Sequence, residues 1–290
     1  MNLEDWLDTW FALYVVPAQL APSTVAMYRR SVNAVPSWLS RQALETLSPV
    51  EVQRWLVTVA RATPRAAQLD RTMITRAIKV ARKSGLCSCV LDEDTLPRIK
   101  HTAAIAPILT PEESRRYLAA AQQVPSYPLL LLMLVCGLRR GEALGLRWTD
   151  IDAQGVLHVQ RQRQRVNHAY TARKLKSAAS NRALQLPPGV LEILHTQPRS
   201  LSWVCDTTPE HLNRDHHAAL RLAQITTPVT LHGLRHTMAT LAALDGTSMK
   251  LLQAALGHST YTLTADLYAA HTQATTSSAP TLVWQGLAVV

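Results

Sequence analysis

Little in this chain could brace it covalently or anchor it in a bilayer. Its four cysteines, Cys87, Cys89, Cys136 and Cys205, are too few and too scattered for a disulfide framework and read as reduced structural thiols. Cys87-Ser88-Cys89 has no second thiol pair at zinc-ligand spacing to complete a metal site. Long apolar runs are missing as well. Leu129 to Cys136, the longest, falls far short of the ~20 residues that a bilayer span needs. The opening Met1-Asn2-Leu3-Glu4-Asp5 has no basic region ahead of an apolar core, so no secretion signal is read, and the expectation is a soluble, cytoplasmic protein. Acidic residues are also in deficit. Twenty Asp+Glu face thirty Lys+Arg, a net charge of +10 with a pI near 9.8. The excess is spread over both halves, which suits a polyanion gripped from two sides, with nucleic acid the leading partner and a membrane surface second. At 290 residues and 47% apolar content, there is ample material for two packed cores, which excludes disorder throughout.

The first hundred residues read as helix after helix. Apolar residues recur at helical spacing through Trp6, Leu7, Trp10, Phe11 and Tyr14 until Pro17 and Pro22 interrupt. Ser23 is placed to cap a second helix with Val25, Tyr28, Val32 and Val35 on one side. Ser48-Pro49 and Thr63-Pro64 open a third and a fourth with a capping side chain followed by proline. In the fourth, Leu69, Met73, Ala77 and Val80 form the expected buried stripe, while Arg76, Lys79 and Lys83 follow Thr72 on another face, about a turn apart. Asp70 is the sole acid between Arg61 and Lys83. Such a face is either solvated or laid against DNA, and the scarcity of acid favours DNA. Gly85 ends the helix. Pro97, Pro107 and Arg98-Ile99-Lys100-His101 mark an extended linker with the boundary near residue 105, and Thr110-Pro111-Glu112-Glu113 caps the next helix.

The residues that bear chemistry lie beyond. In Thr230-Leu231-His232-Gly233-Leu234-Arg235-His236-Thr237, His232 and Arg235 stand at i and i+3 and share a helical face. A guanidinium fork and an imidazole suit a phosphate, although a lone His-x-x-Arg is as well explained by a solvated turn. Upstream, the buried helix Leu129 to Val135 runs into Gly137-Leu138-Arg139-Arg140-Gly141-Glu142. There Glu142 either orients Arg139 toward a ligand or merely neutralises it. Strand alternation from Leu157 to Arg165 puts Arg161, Arg163 and Arg165 on one face, where they repel unless an anion lies across them. Lys176 to Arg182 reads as a turn joining Thr171–Leu175 to Ala183–Leu186. Pro209 to Gln224 reads as a polar helix open to DNA, whose His211 and Asp215 have metal-pair spacing but no third ligand. Met238, Leu241, Ala242 and Leu244 pack a helix ending at Asp245-Gly246, and Ser248 to Leu256 a second ending at Gly257-His258.

Together these segments resemble the tyrosine recombinases of the phage-integrase type over nearly the whole chain. Gly137 to Glu142 resembles the first box and Lys176 to Arg182 the Lys-bearing β-turn. His232-Gly233-Leu234-Arg235-His236 matches the His-x-x-Arg box, Leu256-Gly257-His258 the Leu-Gly-His box, and Tyr268 the nucleophile at its usual offset. The resemblance implies a mainly α fold with a small antiparallel β-sheet in the catalytic domain, and two domains clamping DNA. Residues 1–100 would be the helical core-DNA-binding domain, 101–109 a linker, 110–270 the catalytic domain, and 271–290 a tail docking on a neighbouring protomer or on its own domain. It implies a site-specific DNA recombinase working through a 3′-phosphotyrosyl intermediate. The active site would be Arg139, Lys176, His232, Arg235, His258 and Tyr268, with Glu142 buttressing Arg139 and Lys174 able to stand in for Lys176. DNA contacts are expected from Arg76, Lys79, Lys83, Arg161, Arg163 and Arg165. No cofactor and no metal are expected, because bond energy stays in the covalent link and two arginines neutralise the phosphate. The partners implied are double-stranded core sites and further copies of the chain, dimer to tetramer. A Xer-like resolvase, a type IB topoisomerase and an inactive architectural DNA-binding protein are the alternatives.

Overall fold

The computed structural model describes residues 1–96, 106–166, 169–175, 180–198 and 202–257, with the backbone alone at 165 and 166. It divides into two compact units, Met1–Ala103 and Ala104–Val290. Lys176, His258, Tyr268 and the tail lie outside the described residues, as does most of the expected linker.

In the first unit, α1 (Leu3–Trp10) runs through a π-helical turn (Phe11–Val15) and is followed by α2 (Pro22–Asn33), a short α3 (Ser37–Ser40), α4 (Pro49–Ala62) and α5 (Pro64–Lys83). Trp6, Trp10, Tyr28 and Trp55 anchor its core, and the Trp6 indole donates to the carbonyl of Ala77 at 3.1 Å. Ser48 caps α4 as expected, its Oγ accepting from Val50 N. Two other starts differ from expectation. Pro22 takes the first position of α2, where its fixed φ suits a helix, so Ala21 becomes the cap and Ser23 falls inside. Thr63 makes no side-chain cap bond to α5.

The buried stripe of α5 is also wider than expected. Ala67, Met73, Ile74, Ala77, Ile78 and Ala81 are buried, because α1, α2 and α4 all pack on this helix, while Leu69 and Val80 are only half-buried. Asp70 joins that buried face beside Ser31. Burial pushes its carboxyl pKa up and the Ser31 hydrogen bond partly offsets this. The one acid of the helix therefore does not dilute its exposed cations.

The second unit begins with α6 (Pro111–Ala121), started by a full capping box in which Thr110 and Glu113 satisfy each other's backbone N–H. It continues through α7 (Tyr127–Val135), buried nearly all round, and α8 (Arg140–Leu144). The expected single strand from Leu157 to Arg165 is two. β1 (Val156–Val159) pairs antiparallel with β4 (Arg182–Gln185), Val159 opposite Arg182, and β2 (Arg161–Val166) pairs with β3 (Ala169–Lys174), Arg161 opposite Lys174. The chain leaves the first ladder at Gln160 and passes close beneath α8. A Cβ on Gly145 would stand 3.1 Å from the backbone of Gln162 and Arg163, so a larger residue would push that strand away by a few tenths of an ångström.

α9 (Pro188–His195), α10 (Pro209–Leu222), α11 (Leu231–Leu244) and α12 (Met249–Leu256) complete the unit. α10 is not the simple polar helix expected. Its Asp215 and His216 are buried, Asp215 accepting from the backbone N–H and hydroxyl of Ser126. His216 bridges the Tyr117 hydroxyl (2.7 Å) and the Val229 carbonyl (2.8 Å). Burial lowers the His216 pKa to about 4, so the ring is neutral. Its Nε2–H donates to the carbonyl while Nδ1 accepts from Tyr117. Leu244, expected to pack, is exposed. The protein is thus mainly helical, with two small antiparallel ladders among the described residues. No described helix is long and apolar enough to cross a membrane.

Candidate active site

Three junctions between helix and loop build the site. Thr230 caps α11 by accepting from Gly233 N, which sets His232 and Arg235 one turn into the helix. Gly137, at φ +63°, turns the chain out of α7, and a Cβ there would lie 2.9 Å from the Leu256 side chain. Gly257, at φ +62°, ends α12 in the left-handed conformation. Arg235 is 2% exposed; its Nη1 donates to Gly137 O and its Nη2 to Leu256 O, both at 2.6 Å. Arg139 donates through Nη1 to Glu142 Oε1 (2.8 Å) and through Nη2 to Gly257 O (3.0 Å), and its side chain stays about one-third exposed. Two arginines almost a hundred residues apart therefore rest on adjacent carbonyls of a single turn.

Burial lowers the Arg235 pKa to about 9, helped by Arg139, which leaves it a cation at neutral pH. His232 is exposed at the mouth of the site, yet neighbouring protein partly desolvates it. That surrounding lowers its pKa, and so do Arg235 and Arg139. A neutral imidazole ready to accept a proton is the consequence. The His236 ring stands edge-on to it, 4.6 Å between centroids.

Glu142 is 1% exposed and does more than orient Arg139. Its Oε2 also accepts from the Arg139 backbone N–H (2.9 Å), and both its oxygens are forked by Arg182 at 3.2 and 2.9 Å. Burial alone would raise the Glu142 pKa, but Arg182 and then Arg139 more than reverse this, holding it below its ordinary 4.5. A carboxylate with a depressed folded pKa stabilises the fold above its unfolded pKa, and that stability drains away as pH falls through the lower, folded value. Glu142→Gln is expected to lose about 3–5 kcal/mol at pH 7, because it strands buried cations. The gap to wild type should narrow below pH ~4.5, as the wild-type carboxylate also protonates. Urea unfolding of both proteins at pH 7 and in the acid range checks this.

Sequence reasoning treated Arg182 only as the end of the Lys-bearing turn. Its guanidinium meets a carboxylate 40 residues away, which no local spacing signals. Lys174 ends β3, exposed, opposite Arg161. The expected repulsion among the strand arginines is relieved from inside the chain. Arg161 pairs with buried Asp150, and Arg163 pairs with Asp206 at 2.9 Å between the rings of Trp203 and Tyr170. No anion is required across these two, and the Arg165 side chain lies outside the description. In the first unit, Arg76, Lys79 and Lys83 are exposed as expected. They line an open groove of about 430 Å³ with Trp10, Tyr14 and Tyr28 among its walls, and Arg76 donates to the Tyr28 hydroxyl.

A family model described as the phage integrase family matches residues 107–275, more than half of the chain. The chain belongs to the phage integrase family. This integrase-family protein is accordingly a site-specific recombinase of the tyrosine recombinase class, an enzyme acting on DNA. It is 26% identical over 256 residues to a putative integrase/recombinase, y4qK, of Sinorhizobium fredii, covering 83% of this chain and 74% of that relative. Its fold is that of the Tn1549 transposon integrase in complex with circular intermediate DNA, at a TM-score of 0.78 and 18% identity, covering 98% of this chain and 99% of the other. A lambda integrase dimer bound to a COC′ core site aligns at a TM-score of 0.73 and 20% identity, over 94% and 97% of the two chains.

Proposed function

We propose that this recombinase cleaves and rejoins DNA through a 3′-phosphotyrosyl link, with Tyr268 as nucleophile. The observation that carries the reading is the pair of guanidiniums seated side by side on the Leu256-Gly257 turn, next to a neutral imidazole. The phenol oxygen of Tyr268 attacks the scissile phosphorus, and His232 takes the phenolic proton. The bond from phosphorus to the 5′-oxygen breaks, and Lys176, or Lys174 in its place, protonates the departing oxygen. Arg139 and Arg235 neutralise the non-bridging oxygens as charge grows on them, and His258 donates a further hydrogen bond. The reverse attack, by a 5′-hydroxyl from another strand, restores a phosphodiester and frees the enzyme.

Residues 1–100 act as the module that grips the core site, Arg76, Lys79 and Lys83 meeting backbone phosphate. In the catalytic domain, 110–270, Arg161 and Arg163 offer DNA only the donors that Asp150 and Asp206 leave over. The lambda integrase dimer on a core site supports assembly of copies on DNA, dimer to tetramer. The tail, with Leu282-Val283-Trp284 and Leu287-Ala288-Val289-Val290 beyond a polar tether, supplies an apolar plug for that assembly. Deleting residues 278–290 is expected to weaken complexes of several protomers on DNA in gel-shift assays while sparing single-site binding. Unchanged assembly would refute docking on a neighbour.

The deciding experiment is covalent capture. The protein is incubated with nicked duplexes recovered from its cellular targets, and the adduct is digested and read by mass spectrometry. A nucleotide on the Tyr268 peptide is the expected result. Plasmid relaxation without recombinant product would instead indicate a topoisomerase.

A further inference from the structure

The helix end beneath the two phosphate-facing arginines has a third occupant. The last carbonyls of a helix lack intrahelical donors and carry its partial negative charge. At the end of α12, its last two carbonyls and that of the capping Gly257 are each taken by a different arginine. Arg182 Nε donates to Ala255 O at 2.6 Å, Arg235 Nη2 to Leu256 O at 2.6 Å, and Arg139 Nη2 to Gly257 O at 3.0 Å. The three cations do not have equal freedom. The Arg139 side chain is one-third exposed and can turn a donor outward, whereas that of Arg182 is 5% exposed with every nitrogen committed. Beyond Ala255 O, its Nη1 reaches Ser180 O (3.1 Å) and Glu142 Oε1 (3.2 Å), and its Nη2 reaches Glu142 Oε2 (2.9 Å). Arg182 also opens β4, the strand that follows the Lys176 segment in the chain.

We propose that Arg182 is a positioning residue for strand cleavage. It fastens Glu142 and the α12 terminus into one rigid seat, so that Arg139 and Arg235 are held at the spacing a phosphate needs. The inference rests on the phosphotyrosyl reading above. Without Arg182, Ala255 O loses its donor and Glu142 is gripped from one side only, so the turn under both arginines is free to shift. A displacement of about 1 Å at such a site can cost ~10²-fold in rate.

The test uses the full chain, a nicked core-site duplex, and the variants Arg182→Met and Arg182→Lys. DNA affinity is read by fluorescence anisotropy and single-turnover formation of the covalent adduct by denaturing gel. Arg182→Met is expected to bind DNA within ~3-fold of wild type and to form adduct ~10²-fold more slowly. Arg182→Lys should recover part of that rate, since one ammonium keeps the charge but cannot span Ala255 O, Ser180 O and both oxygens of Glu142. Should Arg182→Met fail to fold, Arg182→Lys carries the test alone, with intact binding and slowed cleavage expected. Adduct formation at the wild-type rate in either folded variant overturns the positioning role. So does a parallel loss of binding and rate, which marks a purely structural residue. If wild type itself forms no adduct, the phosphotyrosyl reading fails and this inference falls with it.

Discussion

Tyr268→Phe is expected to bind core-site DNA with wild-type affinity and to yield no covalent adduct. The substitution removes the one oxygen that would bond to phosphorus and changes little else about the side chain. A free phenol, with a pKa near ~10, is a poor nucleophile at neutral pH and depends on a nearby base. His232 is the base proposed for that role, its pKa lowered by partial desolvation and by Arg235 and Arg139. His232→Ala should accordingly slow capture by ~10²–10⁴-fold rather than abolish it. An adduct that persists in Tyr268→Phe would show that another residue is the nucleophile.

Arg235→Ala is expected to show the next largest effect, on two separate quantities. Losing one donor to the developing oxyanion costs ~10²–10³-fold in cleavage rate. The same change leaves the carbonyls of Gly137 and Leu256 without their partner in a buried setting, at about 1–3 kcal/mol each. Arg235→Lys separates the two effects. It keeps a cation and one of the two carbonyl bonds, so it should unfold closer to wild type while cleaving slowly, since an ammonium lacks the planar fork. Thermal unfolding and single-turnover capture on the same preparations provide both numbers. Wild-type cleavage by a folded Arg235→Ala would remove this guanidinium from the chemistry.

The parts legible in the sequence are those governed by a few neighbouring residues. Proline after a hydroxyl side chain marked the start of α4, and Thr110 with Glu113 marked α6, because capping is settled within one turn of chain. Gly137 and Gly257 stand where the boxes placed them, since only glycine turns there cheaply. The same local logic misplaced the start of α2, where Pro22 competes with Ser23 for the helix start. The motif order in the chain likewise pointed to Arg139 and Arg235, which the fold does bring to one turn.

Partnership across long stretches of chain is a different matter. The Arg182 fork on Glu142, the burial of Asp215 and His216, and the pairing of Arg161 and Arg163 with Asp150 and Asp206 all join residues that no periodicity connects. Residue type says that a charge will seek a counter-charge, but not which one the packing will deliver. Local stereochemistry therefore already placed helices, turns and motif residues in this recombinase. Which cations face solvent and which are spent inside was settled by the three-dimensional convergence of distant segments, because desolvation and pairing are properties of the assembled core.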